Sequence, residues 1–288
     1  MNLTVLALLL LIGAAFFHAT WNFISKKACG GAVFVWLFNV VASVLYIPVV
    51  IALLWITRSS FHWGYIIFML GSAILHVGYF LLLNKGYKAG DLSLVYPLAR
   101  GTGPLLSTLA AIFFLGEHPS FIALTGTLFI AVGVFLLLGN PAKYAESKAS
   151  SAILFAVFTG VFIAGYTLWD KYAVSNMAVP PILLYWGTTV GQALLMLPYA
   201  LKNRENAITQ WRTNRRSIFG VAILCPLSYI LVLTVMVFTP VSYAAPAREV
   251  SILIGAIMGA RFLAEEDAKL RITAAIVILS GLTCLALG

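Results

Sequence analysis

Apolar runs of helix length follow one another almost from end to end of this chain, and that arrangement leaves few folds open. They fall near residues 3–25, 32–56, 63–84, 92–116, 120–139, 150–173, 179–201, 217–238, 241–263 and 270–287. A helix that crosses the hydrocarbon layer needs about 20 mostly apolar residues. Backbone in that layer must satisfy its own hydrogen bonds, which restricts spanning structures to helices and closed barrels, and runs this long point to helices. With 62% hydrophobic and 9% charged residues, the chain carries more apolar surface than a soluble core can hide. The expected fold class is an all-α integral membrane protein with about ten transmembrane helices. The first run has no basic segment ahead of it and no small-residue cleavage site after it, so it reads as a span rather than a leader peptide.

A duplication organises these runs. Trp21 and Trp169, Arg100 and Arg248, and Glu117 and Glu265 are each 148 residues apart (169 − 21, 248 − 100 and 265 − 117). Ala99/Ala247, Phe114/Phe262 and Leu115/Leu263 keep the same register. The expected organisation is a first five-helix repeat over 1–140, a linker over 141–149 containing Pro141, and a second five-helix repeat over 150–288. Five spans is an odd number, so the second repeat enters the membrane from the opposite side. Inverted repeats of this kind are common in secondary transporters, which bind substrate near the midplane between the halves.

The formal charge of +9 would suggest nucleic acid in a soluble protein; here the basic residues sit in connections, and no nucleic-acid partner is expected. Lys26, Lys27, Lys143, Lys148, Lys202, Arg204, Arg212, Arg215, Arg216, Lys269 and Arg271 all fall on one side of a ten-span chain. The positive-inside rule then places both termini on the non-cytoplasmic side. Cys29, Cys225 and Cys284 are scattered and read as reduced packing residues rather than a disulfide or metal framework. Gly101-Thr102-Gly103 lacks the lysine of a phosphate loop, and the histidines lack zinc-site spacing. Neither an enzyme nor a cofactor is expected.

Candidate function concentrates in the fourth and ninth runs, which carry Pro97, Arg100, Gly101, Gly103 and Pro104, and Pro246, Arg248, Glu249, Gly255 and Gly259. Proline breaks the helical ladder, and Gly/Pro-interrupted helices at matching places in two halves point to a transporter site. Arg100 lies about 8 residues into its run, roughly 12 Å deep at 1.5 Å per residue. Arg248 is similarly deep from the other face. An arginine there costs at least ~2.5–3.5 kcal/mol on insertion scales and needs a partner. Neighbours along a helix do not face each other, so Arg248 and Glu249 are each expected to pair elsewhere. Glu249 and Asp170 are candidate proton-coupling carboxylates.

His18 and Asn22 share a helix face, and Tyr166 and Asp170 occupy the same register in the second half; these are read as substrate-facing or as interhelical hydrogen-bonding groups. Trp21 and Trp169 are candidate cavity walls or interfacial anchors. His76 and Tyr79 are further candidate lining residues. Asp170 beside Lys171 could alternatively end the sixth helix among headgroups. Glu117 and Glu265 follow helix C-termini, where the dipole disfavours a negative charge, so a structural role is expected, such as binding the start of the following helix. Gly255 and Gly259 have the spacing of close helix packing.

The segment Asp91–Glu117, DLSLVYPLARGTGPLLSTLAAIFFLGE, resembles the fourth-helix signature of the EamA-like branch of the drug/metabolite transporter superfamily. Pro119–Gly139 resembles its fifth helix, His18-Ala-Thr-Trp-Asn22 with Lys26 its first, and Pro240–Glu265 its ninth. The resemblance covers essentially the whole chain. It implies a ten-helix inverted-repeat carrier of small metabolites, often an exporter of amino acids or related compounds, with cytoplasmic termini, the reverse of the charge-based orientation. The arginine pair is not a general feature of that family and points to this chain's own substrate. A guanidinium fork suits carboxylate or phosphate oxygens.

The favoured reading is alternating-access transport, in the export direction, of a small anionic or zwitterionic metabolite such as an amino acid or a phosphonate-type compound. Arg100 and Arg248 would hold its negative group, with His18, Asn22 and Tyr166 orienting it. The alternatives are a translocase of a lipid-linked phosphate headgroup, or a non-transporting sensor or assembly subunit in which protein carboxylates satisfy both arginines. Expected partners are a small-molecule substrate and the bilayer of a bacterial inner membrane, with the protein as a monomer or homodimer.

Overall fold

The computed structural model describes residues 4–28, 30–58, 61–89, 92–136, 149–254 and 268–288. Cys29, the linker over 141–148, Gly255, Gly259 and Glu265 lie outside the described residues. Within them the chain forms α1 (Val5–Ala28), α2 (Gly31–Leu45), α3 (Ile47–Thr57), α4 (Tyr65–Ala89), α5 (Leu92–Leu115), α6 (Phe121–Leu136), α7 (Ala149–Ser175), α8 (Pro181–Lys202), α9 (Arg204–Thr213), α10 (Arg215–Phe238), α11 (Val241–Arg248) and α12 (Ala268–Leu287). Shifted back by 148, α8 falls on 33–54, α10 on 67–90 and α12 on 120–139, each over its counterpart in the first half. The protein is an all-α membrane protein of two inverted five-helix repeats, with α2 and α3 forming one broken span and α9 lying between spans.

Local chemistry explains both departures from the expected runs. Pro48 has no N–H to give the Val44 carbonyl, and the second span breaks at Tyr46, whose hydroxyl donates to the Ile223 carbonyl of α10 at 2.9 Å. The basic connection after α8 is a helix rather than a loop. Glu205 in its first turn and Arg212 in its last suit the helix dipole. Trp211 of α9 lies under the Arg215 guanidinium at 5.5 Å.

Packing respects the repeat. Helix α1 packs on α10 as α7 packs on α4, α2 packs on α10 as α8 packs on α4, and α5 and α11 each lie against α6 and against the first helix of the other repeat. Helices α6 and α12 cross so closely that a Cβ on Gly126 would lie 2.7 Å from the Gly281 carbonyl, and one on Gly133 would lie 2.6 Å from Ile278. Seen from the other helix, a Cβ on Gly281 would meet Ile130 at 2.8 Å. Residues 133 and 281, and 130 and 278, are repeat mates (281 − 133 = 278 − 130 = 148). Helices α2 and α8 are also joined reciprocally: Trp36 Nε1 donates to the Ala193 carbonyl at 3.0 Å, and Trp186 Nε1 to the Ser43 carbonyl at 2.9 Å. Large apolar side chains such as Trp55, Phe113, Phe114 and Phe121 point outward, a surface that lipid covers.

Candidate functional site

The two arginines meet at one carboxylate. Helix α5 runs unbroken through Pro104, contrary to the interruption its Pro and Gly residues led us to expect. Thr102 Oγ1 donates back to the Leu98 carbonyl at 2.8 Å and Ser107 Oγ to the Gly103 carbonyl at 2.8 Å, so both hydroxyls are satisfied within the helix. Helix α11 does break. Pro246 cannot donate to the Ser242 carbonyl, the helix ends at Arg248, and the Glu249 N–H bonds the Pro246 carbonyl in a tighter turn at 2.9 Å. Helical backbone resumes over 250–254.

This turn corrects the expectation that Arg248 and Glu249 do not face each other, while Glu249 does also pair elsewhere, with Arg100. Leaving the regular helix at 249 lets neighbours approach, and Arg248 Nε lies 3.5 Å from Glu249 Oε1. From the other repeat, Arg100 Nη2 lies 2.9 Å from Glu249 Oε2 and 3.4 Å from Ser251 Oγ. The 2.9 Å approach is a close ion pair whose angles fall short of a hydrogen bond. Arg100, Arg248 and Glu249 are only 4%, 2% and 1% exposed. Both guanidinium groups thus contact the Glu249 carboxylate. Arg248 Nη2 is buried and has no hydrogen-bond partner among the described residues.

An aromatic wall adjoins this triad. The Arg248 guanidinium sits 5.8 Å over the Tyr166 ring, within the range of a cation–π contact. His76 stacks on that Tyr166 ring, with the two centroids 4.1 Å apart. Tyr229 stands edge-on to both, at 5.5 Å from His76 and 6.0 Å from Tyr166, and Tyr79 lies 6.0 Å from Tyr166. Asp170, one turn along α7 from Tyr166, is 1% exposed. Its Oδ2 accepts from the Tyr229 hydroxyl at 2.8 Å, while Oδ1 has no hydrogen-bond partner among the described residues. Ser72 neighbours that carboxylate, but its hydroxyl is placed 3.3 Å from His76 Nδ1. On α1, His18 is within electrostatic reach of both arginines and lies 3.4 Å from Ser228 Oγ. Trp21 packs edge-on against His18 at 5.0 Å.

Residues 5–139 and 150–287 each match the EamA-like transporter family. The chain belongs to that family. The match takes in nearly the whole sequence, in two copies. A solved crystal structure agrees in fold, with a TM-score of 0.73 at 15% identity over 98% of this chain and 96% of the other. The EamA-like transporter is thus a multi-pass membrane protein of the drug/metabolite transporter superfamily, and it moves small molecules across a bilayer.

Not every candidate residue of this EamA-like transporter faces the triad. Asn22 Nδ2 donates back to the His18 carbonyl at 2.8 Å, within its own helix. Trp169 Nε1 donates to the Phe68 carbonyl at 2.9 Å, and the ring lies where a Cβ on Gly71 would be 2.5 Å away. It fastens α7 to α4. Lys171 does not end α7 among headgroups: α7 continues to Ser175, and Nζ donates to the Met236 and Thr239 carbonyls at 2.7 and 3.1 Å, capping α10. Glu117 caps a helix of the opposite repeat rather than the one that follows it. Its oxygens accept from Val241 N at 2.6 Å and Ser242 N at 2.8 Å, where the dipole of α11 favours a negative charge. Ser72, Tyr185, Ser228, Tyr229 and Ser251 are the residues around the centre that the sequence did not single out.

Proposed function

We propose that this transporter exports a small anionic or zwitterionic metabolite by alternating access, with the ligand's negative group seated at Arg248 beside the Arg100–Glu249 pair. What supports this reading is Arg248 Nη2, a buried guanidinium nitrogen with no hydrogen-bond partner among the described residues. A buried guanidinium nitrogen without an acceptor is costly. A ligand anion meets that need, and a guanidinium fork suits its oxygens. The Tyr166, His76 and Tyr229 rings supply an apolar wall for the ligand body, and His18 approaches from the opposite repeat. Rocking of one repeat against the other would expose this centre alternately to the two faces.

The test is ligand-dependent thermal stabilisation of the purified protein against phosphonates, phosphorylated metabolites, amino acids and organic cations. Anions or zwitterions should stabilise the wild type and lose that effect in folded Arg248→Gln. Stabilisation by cations, or by anions equally in the variant, would refute the reading. Counterflow in proteoliposomes of known orientation then fixes the direction.

A further inference from the structure

We propose that the corner between α9 and α10 binds the phosphate of an anionic phospholipid from the surrounding bilayer. This site lies apart from the central triad and does not depend on which ligand is carried. Residues 202–216 hold five cations, Lys202, Arg204, Arg212, Arg215 and Arg216, against one acid, Glu205. All five cations are exposed. The ion pairs among the described residues are those of the triad, and none reaches this stretch. Span α8 ends and span α10 begins here, which sets the cations at headgroup level.

Helix α9 is laid against the protein by its inner face. Ala207 and Trp211 pack on the buried cluster that contains Phe34 and Ile218. Asn214 stands at the N-cap of α10 yet makes no side-chain cap bond. Its Nδ2 donates instead to the Ala28 carbonyl at 3.1 Å and to Gln210 Oε1 at 2.7 Å. The first turn of α10 is thus left without a cap, has no acidic residue and starts with two arginines. A helix start disfavours cations. An anion placed there takes hydrogen bonds from backbone amides and guanidinium groups together. Arg215 is held at this corner by the Trp211 ring, 5.5 Å below its guanidinium.

The neighbouring surface makes the anion a lipid rather than free phosphate. Tyr199 and Leu201, at the end of α8, are 51% and 64% exposed, and Ile208 of α9 is 50% exposed. Acyl chains cover such surface, so one phospholipid meets both the apolar and the cationic part. Clusters of roughly four to eight lysines and arginines on or beside a membrane helix attract anionic lipids. The matching stretch of the first repeat, 54–68 (202 − 148 and 216 − 148), has one arginine, Arg58, and no lysine. It lies at the opposite face, so the site belongs to one leaflet.

The test uses purified full-length protein, stripped of native lipid in detergent. It is titrated with dioleoylphosphatidylglycerol, dioleoylphosphatidylcholine or sn-glycerol 1-phosphate while the unfolding midpoint is followed. Phosphatidylglycerol should raise the midpoint, and the other two should not. The lipid concentration for half the effect should rise about ten-fold or more in Arg212→Gln/Arg216→Gln, the scale of two surface cations. Lys85→Gln/Lys88→Gln removes two exposed cations from the end of α4 at the same face and should leave that concentration in place.

Equal stabilisation by phosphatidylcholine, or equal loss in the two double variants, overturns the inference. Glycerol phosphate acting as well as the lipid would make this a free-anion site, and a DNA duplex acting as well would make it a general polyanion surface; either result overturns it too. Should the arginine variant not fold, amide exchange of the wild type decides. Phosphatidylglycerol should slow exchange over 213–218 more than phosphatidylcholine does, and the absence of a local difference counts against the site.

Discussion

Helix α1 carries His18, Trp21 and Asn22, and helix α7 carries Tyr166, Trp169 and Asp170 at the same register. The two helices lie in equivalent surroundings, α1 on α10 and α7 on α4, yet use those positions differently. Trp169 is bonded and wedged against Gly71, whereas Trp21 Nε1 is buried with no partner among the described residues. Asp170 is a buried carboxylate held by another repeat element, while Asn22 bonds only its own helix. Duplication supplied the positions and divergence supplied the chemistry: one side carries a buried carboxylate and a fastener, the other a set of neutral groups.

The sharpest way to break this comparison is to substitute the charged centre. Glu249→Gln removes the carboxylate that both buried guanidinium groups contact and Arg100→Gln removes the 2.9 Å partner, so each should cost about 3–5 kcal/mol. Arg248→Gln, with its longer 3.5 Å contact, should cost clearly less in detergent unfolding; equal losses would mean that the two arginines are equivalent locks. In ligand binding the order reverses. Arg248→Gln should lower affinity by about 10–100-fold, as expected for one lost charge-assisted bond, read by titration against any stabilising anion.

Smaller effects test the scaffold. Glu117→Ala removes the acceptor of two α11 amides and should destabilise by about 1–2 kcal/mol, visible as a lower unfolding midpoint and faster amide exchange at 241–242. Trp169→Phe deletes a bond to the Phe68 carbonyl and should cost about 1 kcal/mol. Trp21→Phe loses no protein bond and should be close to neutral in stability. A larger stability loss for Trp21→Phe than for Trp169→Phe would erase the distinction between α1 and α7.

Much of this architecture was legible because a membrane span writes its length directly into sequence. The Arg100/Arg248 register also located the centre, since burying a charge at that depth demands a partner. What escaped has specific causes. The Arg248–Glu249 contact depends on the turn that Pro246 imposes, and helical spacing rules do not apply across it. Proline in α5 suggested a break, but the helix stayed whole. Tyr229 and Ser72 have no matching residue 148 positions away, so the repeat gave no signal for them. The α2–α8 contacts follow an interval of 150 (186 − 36 and 193 − 43), two residues out of step with the register that the arginines define.

The glycine crossing of α6 with α12 is self-complementary: Gly133 receives Ile278 as Gly281 receives Ile130. That is the geometry of an isologous interface, the kind a two-fold homodimer makes from one patch used twice. The reciprocal tryptophan bonds of α2 and α8 have the same character. At both places the chain is paired with itself, so the surface most suited to self-association is already occupied inside a single polypeptide. Any second copy must dock through a different face.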